Sequence, residues 1–431
     1  MPSHPPADAA EVLEGLRIES MSHGPDGVAR HQGRVVFVRD TAPGDVVDAR
    51  ITEWRRSYVR AVGEAIRSPG ATRREPPCPY VGKCGGCQWQ HLAYPAQLGA
   101  KHRNLVDHVS RIAGLDPGPI RPPLSAPDEW RYRHRLNLRV QDRRLGFYRA
   151  ESHELVEIDA CLIADPAAGA GLAAARRWLA TVDTRIRRLA LAASEDGGAL
   201  VLAANAEGPF MQSDGPRNLD VVARAADTGV RGVVMYGKGW RHAWGDVRVS
   251  FMVDGVSLVT TGGEFTQVNL AGNRRLVATV VELAAIEPGD EVLDLYCGAG
   301  NLAIPVARRG ARVLGIERSL RAVADAEANA RRLGLRHCRF VCASVEQGLR
   351  EVAVAPGIVI LDPPRGGAAA IVPDLLRLRP RRVVYVSCDP PTLARDIAAL
   401  ARRGYRLEAI QPIDLFPQTY HLEAVACLTA A

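Results

Sequence analysis

The sequence has no long apolar run. None reaches the roughly 18–20 residues that span a bilayer, so no membrane span is expected. Its opening stretch, MPSHPPADAAEVLEG, has neither a basic n-region nor an apolar h-region. A secretory signal is therefore not expected, and the expected location is cytoplasmic. That bears on the nine cysteines. In a reducing compartment they are expected as thiols, metal ligands or catalysts rather than as a disulfide framework. Lysine is scarce, at Lys83, Lys101 and Lys238 only, which reflects codon usage rather than function. No internal repeat or low-complexity tract is visible, and nothing points to an obligate protein partner.

What is present is a chain of 431 residues, 47% hydrophobic, with a net charge of +7. That length exceeds one ordinary core and implies two or three domains. The positive charge fits a polyanionic partner, with a basic protein that binds no nucleic acid as the equal alternative. Residues 1–12 read as a disordered lead-in. Over 13–68 come short apolar runs broken by turns (SHGPDGVAR, GRVVFVRD, APGDVVDARI, SYVRAVGEAI). This spacing predicts a small antiparallel, OB-like barrel. SPGATRREPP reads as a linker. Residues 75–262 read as an α+β domain, with a helix over Tyr94–Ala113, a strand pair in WRYRHRLNLRVQDRRLGFYR and later strands in ALVLAANA, RGVVMYG and VSFMVDG.

Residues 263–431 change character. EVLDLYCGAGNLAIPVARRGARVLGIERS reads as a buried strand, a glycine-rich turn, a helix and a second strand ending in an acid. IVILDPPRGG and RRVVYVSCDPP are further strands running into loops. Strands alternating with helices predict a doubly wound, Rossmann-like parallel sheet, with ligands beyond the carboxyl ends of its strands. DLYCGAGNLA is neither a GxGxxG fingerprint nor a phosphate loop. With Glu317 about 20 residues on, placed to accept from ribose hydroxyls, it is the arrangement of S-adenosylmethionine-dependent methyltransferases; an NAD-type site is the alternative. Cys388 follows a strand directly and precedes Asp-Pro-Pro. A nucleophile and a buried small hydrophobe are equally open readings of it. Arg365 stands where amino-group methyltransferases carry an aromatic residue, which disfavours amine methylation.

The motifs FTQVN, DLYCGAGN, LDPPRGG, VSCDPPTLARD and PIDLFPQTYHLEAV occur in this order. Together they resemble the RNA uracil-5-methyltransferase family, which includes enzymes acting on 23S rRNA and on tRNA, over nearly the whole chain. The resemblance implies Cys388 as the nucleophile that adds to carbon 6 of uracil and Glu423 as the base that removes the carbon-5 proton. It implies Gln267, Tyr296, Asn301, Glu317 and Asp362 as contacts to S-adenosylmethionine, and Phe265 as an aromatic that stacks on the target base. Ser344 stands where the family often has Asn. A plain surface or salt-bridged carboxylate is the alternative for Glu423. Residues 16–66 resemble a TRAM domain, a small RNA-binding barrel. The resemblance favours 23S rRNA as substrate, with tRNA next. A non-catalytic RNA-binding protein with a vestigial site, and a cytosine-5 methyltransferase, are the remaining readings.

Cys78, Cys84 and Cys87 form C-x5-C-x2-C, with Cys161 as a distant fourth thiol. Four thiolates suit zinc or a [4Fe–4S] cluster, and ligand type does not decide. The family subset with this pattern carries a [4Fe–4S] cluster, so the resemblance implies the cluster, with zinc as runner-up. Cys297 sits in the glycine turn, and Cys338, Cys342 and Cys427 read as packing residues. Arg131, Arg133 and Arg135 recur at every second position, so in a strand they share one face. They read as a phosphate-contacting row, or else as a solvated strand face.

Overall fold

The computed structural model describes residues 11–195, 199–352 and 355–431. Most of the lead-in expected at 1–12 lies outside these residues. The chain divides into two compact units, Met1–Leu105 with Phe416–His421, and Val106–Leu415 with Leu422–Ala431. Among the described residues no helix is long and apolar enough to cross a membrane.

The first unit holds β1 (Val12–Arg17), β2 (Ser20–Met21), β3 (Gly27–His31), β4 (Arg34–Arg39), β5 (Val46–Trp54) and β6 (Tyr58–Ser68), ordered β1-β5-β6-β4-β3-β2. Alternation along β4 and β5 turns Val36, Val38, Val47, Ala49 and Ile51 into one buried cluster, as period-two patterning requires. Only the β4–β6 pair is parallel, a departure from the expected antiparallel barrel. The cause is that β5 pairs with the far side of β6, so β6 returns beside β4 running the same way.

The expected linker is held to this sheet. Asp45 is fully buried and accepts from the Ala42 and Gly70 amides and from Arg73 Nη2 at 2.7, 2.8 and 2.6 Å. Burial pushes the Asp45 carboxyl up, but Arg73 and the two amides outweigh it and hold it below its ordinary value.

The helix expected over Tyr94–Ala113 is α1 (Tyr94–His108), followed by a π-helical stretch, Val109–Ala113.

In the second unit, one sheet is ordered β13-β12-β11-β10-β7-β8-β9. Its strands are β7 (Arg135–Gln141), β8 (Arg144–Tyr148), β9 (Leu155–Glu157), β10 (Ile186–Ala193), β11 (Leu200–Ala206), β12 (Val230–Gly237) and β13 (Trp240–Gly245). The β7–β8 turn places Asp142 and Arg143 at φ 49° and 62°, the left-handed pair of a two-residue hairpin. Helices α2 (Pro166–Thr181) and α3 (Asp214–Ala223) cover one face. A separate hairpin, β14 (Arg248–Val253) with β15 (Val256–Thr261), leads into α4 (Leu270–Ala284).

The last sheet contains β16 (Glu291–Leu295), β17 (Arg312–Glu317), β18 (Cys338–Cys342), β19 (Ile358–Leu361), β20 (Arg382–Ser387), β21 (Tyr405–Ile413) and β22 (Glu423–Ala430). Its order is β18-β17-β16-β19-β20-β22-β21. The first five are parallel, as the sequence pattern predicts; β22 is antiparallel to both neighbours. It fills the slot between β20 and the edge strand β21 by folding back along β21.

Asp45 yields a pH-dependent prediction. Its folded pKa lies below the unfolded one, so its stabilisation is present above about pH 3.9 and is lost as pH falls further. Asp45→Asn leaves Arg73 without its counter-charge and is expected to cost about 2–4 kcal/mol at pH 7. Chemical denaturation at pH 7 and pH 3 checks this: the loss should shrink at pH 3, and an equal loss at both would contradict it.

Candidate active site

In the last sheet the chain moves outward from β16 through β17 to β18, then returns to the other side of β16 as β19 and β20. The switch point lies between β16 and β19, where Leu295 pairs with Leu361. Crevices of open α/β sheets form at such points. Tyr296 and Asp362 are the next residue on each strand, so both stand at its mouth.

The turn after β16 is tight. Tyr296, Gly298 and Gly300 have φ of 64°, 54° and 89°, and a left-handed non-glycine residue stores about 1–3 kcal/mol of strain. Glu317, at the end of β17, accepts from the Gly298 and Ser319 amides at 3.3 and 2.8 Å. Asn301 exchanges amide hydrogen bonds with Asn273 of α4 at 2.8 and 2.9 Å. Sequence reasoning missed Asn273, because a single Asn in a helix carries no motif. Gln267 Nε2 donates to Asp362 at 3.4 Å. Asp294, fully buried below the turn, is held well above its ordinary pKa by burial, with Asp362 and Glu317 adding repulsion. Burial pushes Asp362 up to about 7. Asp362 and Glu317 both repel negative charge on Asp294, and carboxyls crowded at one crevice favour a cationic ligand.

Cys388 follows β20. SCDPPT is a helix start: Asp389 caps α5 (Pro390–Ala401), accepting from Thr392 N at 3.1 Å, with prolines in the first turn, where a missing N–H is harmless. The thiol is thus fixed between a strand end and a capped helix. Ser387 pairs with Ala424 across β20 and β22, so Cys388 and Glu423 are each one residue beyond that pair and meet at the sheet's end. Glu423 is 2% exposed and is held well above its ordinary pKa by burial and Asp362, with Arg365 opposing. Cys388 is pushed up to about 12, first by burial and then by Glu423, while Arg365 hydrogen-bonds the thiol and pulls the other way. The Arg365 loop is tied to α5: its carbonyl accepts from Thr392 Oγ1 at 3.4 Å, and Ala368 N donates to buried Asp396 at 2.7 Å.

Phe265 is 70% exposed on the loop between β15 and α4. Its neighbour Glu264 accepts from Ser319 Oγ at 2.8 Å, and its carbonyl accepts from Arg135. The arginine row departs from expectation. Only Arg135 lies within β7; Arg133 makes isolated bridges, and Arg131 precedes the strand with φ 56°. The alternation itself persists, with Tyr132, His134 and Leu136 buried between them. Arg135 is spent on the Glu264 carbonyl, so it braces the Phe265 loop. Ser344 caps the helix Val345–Glu351, accepting from Gln347 N at 3.2 Å.

Among the cysteines, Cys338 and Cys427 are buried as expected, whereas Cys342 is exposed at the end of β18; Cys297, in the glycine turn, is also buried. Cys78, Cys84 and Cys87 lie in an irregular stretch between turns in the first unit, where the Gly86 amide donates to Cys84 Sγ at 3.4 Å. A backbone donor on sulfur favours the thiolate that a metal requires. Cys161 lies in the second unit, just before α2. Among the described residues no three His, Cys, Asp or Glu side chains converge in a metal-holding arrangement.

The sequence model of the tRNA (Uracil-5-)-methyltransferase family matches residues 256–431, and that of the TRAM domain residues 15–62. The chain is 37% identical to a 23S rRNA (uracil(1939)-C(5))-methyltransferase RlmD of Thiobacillus denitrificans, covering 95% of this chain and 98% of that one. It is 33% identical to the RlmD of Aeromonas hydrophila, covering 95% and 94%. The fold is similar to that of a Pyrococcus abyssi tRNA (uracil-54, C5)-methyltransferase in complex with S-adenosyl-L-homocysteine, at TM-score 0.74 and 25% identity over 96% of this chain and 99% of that one. The chain, with its TRAM domain and Rossmann-like sheet, belongs to the RNA uracil-5-methyltransferase family.

Proposed function

We propose that this enzyme methylates carbon 5 of a uridine in 23S rRNA, using S-adenosylmethionine. The observation that carries the reading is the β20–β22 register, which sets a thiol and a carboxyl side by side at a methyltransferase crevice. The named 23S rRNA relatives favour that substrate over tRNA, which the similar Pyrococcus enzyme's name specifies.

Carbon 5 of uracil is a poor nucleophile, and the chain's residues address that directly. Cys388, as thiolate, bonds to carbon 6; the carbon 5–carbon 6 π electrons move onto oxygen 4 as an enolate. Bound S-adenosylmethionine would supply an electrophilic methyl to carbon 5, its sulfur–methyl bond breaking so that S-adenosylhomocysteine leaves. Glu423 then accepts the carbon-5 proton, the double bond re-forms and the carbon 6–sulfur bond breaks, returning Cys388. A carboxyl with a raised pKa is the stronger base once ionised. Arg365 lowers the cost of the thiolate. Gln267, Tyr296, Asn301, Glu317 and Asp362 are proposed to hold the cofactor, with Glu317 on the ribose and the acidic crevice on the cationic end. Phe265 stacks on the extruded uracil, and Arg131 and Arg133 contact phosphate. Unstacking costs a few kcal/mol, least in a loop, so a single-stranded or loop uridine is the target.

The barrel at 13–68 is proposed to bind RNA, and residues 263–431 to hold the chemistry. Cys78, Cys84, Cys87 and Cys161 are the proposed ligands of a [4Fe–4S] cluster, with zinc as the alternative, because four thiolates suit either. The methylation needs no redox step, so that group would supply structure or RNA positioning.

Nucleoside mass spectrometry tests the reading. Labelled S-adenosylmethionine is incubated with unmodified 23S rRNA and, separately, with unmodified tRNA. Labelled 5-methyluridine is expected in rRNA, absent with Cys388→Ala although cofactor binding persists. Label in tRNA alone would keep the reaction and overturn the substrate; label in neither would favour a non-catalytic RNA-binding role.

The thiol's position sets the pH profile. With Cys388 at about 12, the reactive thiolate is a minor form at neutral pH and grows about tenfold per unit. The value of kcat/KM should therefore rise with pH between 6 and 9. Arg365→Gln is expected to reduce it about tenfold or more at each pH without weakening cofactor binding. A flat profile, or a wild-type rate in the variant, would contradict this.

A further inference from the structure

In the β7–β13 sheet of the second unit, five polar side chains stand in register across five strands. Arg139 on β7 pairs with Arg188 on β10, Arg188 with Asn205 on β11, Asn205 with Tyr236 on β12, and Tyr236 with Arg241 on β13. Paired residues point to the same face of a sheet, so the five form one continuous row. Four inter-strand steps of ~4.8 Å make it about 19 Å long.

The row marks where that face changes character. Further along the same face, Ala192 and Val201 are buried against Val249 of β14, and Ala203 lies beneath Gly263 of the loop after β15. The opposite face is an ordinary helix-covered surface: Leu191, Leu202 and Val233 pair across it and are buried, with Gly171 of α2 against Leu191. A face built only for packing would stay apolar. Here it turns to Arg, Arg, Asn, Tyr and Arg, none of them buried. A β-bulge between Ile186 and Arg188 leaves the consecutive Arg187 and Arg188 both exposed, and bulges commonly re-aim side chains in this way.

These side chains are not consumed by the fold. Among the described residues Arg188, Asn205 and Tyr236 make no side-chain hydrogen bond. Arg139 lies over the Tyr148 ring at 4.8 Å. Arg241 donates to the Gly262 carbonyl at 3.2 Å. A methyl group on Gly263 would come within 3.7 Å of both Arg241 and Tyr236. The row therefore ends two residues from Phe265. It contains three arginines and no acid.

We propose that this row is a track for single-stranded RNA that leads to the uridine at Phe265. The proposal rests on the reading that the substrate is RNA. The arginines suit phosphates, which position a strand without specifying its sequence. Tyr236 offers a ring face for a base, and the Asn205 amide offers a donor and an acceptor for a base edge. A face with both kinds of group, spanning a few nucleotides, fits an unpaired strand better than a duplex, whose bases are already stacked.

Fluorescence anisotropy of the full chain with a short fluorescein-labelled oligouridine RNA tests the track. Arg188→Glu should weaken binding about tenfold, and Arg188→Gln should flatten the salt dependence by about 0.7 in log–log slope, the share of one phosphate contact on a single strand. Tyr236→Ala should weaken binding several-fold while Tyr236→Phe retains it. Arg403→Glu, the same charge change on the exposed turn after α5, should leave it unchanged. S-adenosylmethionine affinity, measured on the same preparations, should not move. Wild-type RNA affinity in both Arg188→Glu and Tyr236→Ala would overturn the track, and so would equal loss in Arg403→Glu. Methylation by the wild type is read separately. Its absence, with RNA binding lost in the track variants, would remove the methylation reading and keep the track.

Discussion

The site depends on one strand pairing. β22 runs antiparallel to β20, and Ser387 faces Ala424. A slip by one residue would turn Glu423 to the opposite face of the sheet and leave Cys388 beside an alanine. The pairing also buries the carboxyl, so the acid and the thiol meet where water is scarce, and Glu423 adds to the burial that raises the thiol's pKa.

That burial has a cost distributed through the fold. Asp294, Asp362 and Glu423 all hold carboxyls above their ordinary values. Tyr296 adds backbone strain at the cofactor turn. The surroundings offset this with fixed donors: Gln267 on Asp362, amides on Glu317, the capped start of α5 beside Cys388, and Arg365 on the thiol. Unstable groups held by stable elements are what a site prepared for a cation and for an ionising thiol requires.

Much of this was legible in the sequence where a local rule acts. The parallel strands of the last sheet and the turn after β16 follow from apolar runs ending in glycine and acid. Asp-Pro-Pro after Cys388 reads directly as a helix start. What escaped is set by distant chain. β22 carries no signal that it runs antiparallel, because a fully buried strand has no alternation to reveal direction. The parallel β4–β6 pair depends on where β5 lies, not on the residues of either strand. Arg135 looks like its neighbours Arg131 and Arg133, yet its guanidinium is turned to the Glu264 carbonyl, 129 residues away. The linker read from SPGATRREPP is fixed because Arg73 finds a buried carboxylate far back in the chain.

The central claim is that Cys388 adds to the base and Glu423 releases it. Glu423→Gln, incubated with unmodified 23S rRNA fragment and S-adenosylmethionine, tests that claim on denaturing gels followed by mass spectrometry of the protein peptides. The account predicts that RNA stays covalently attached through Cys388, with the methyl group already on the base, because the carbon-5 proton has no acceptor. Normal turnover by this variant, or an adduct on a different residue, would contradict it.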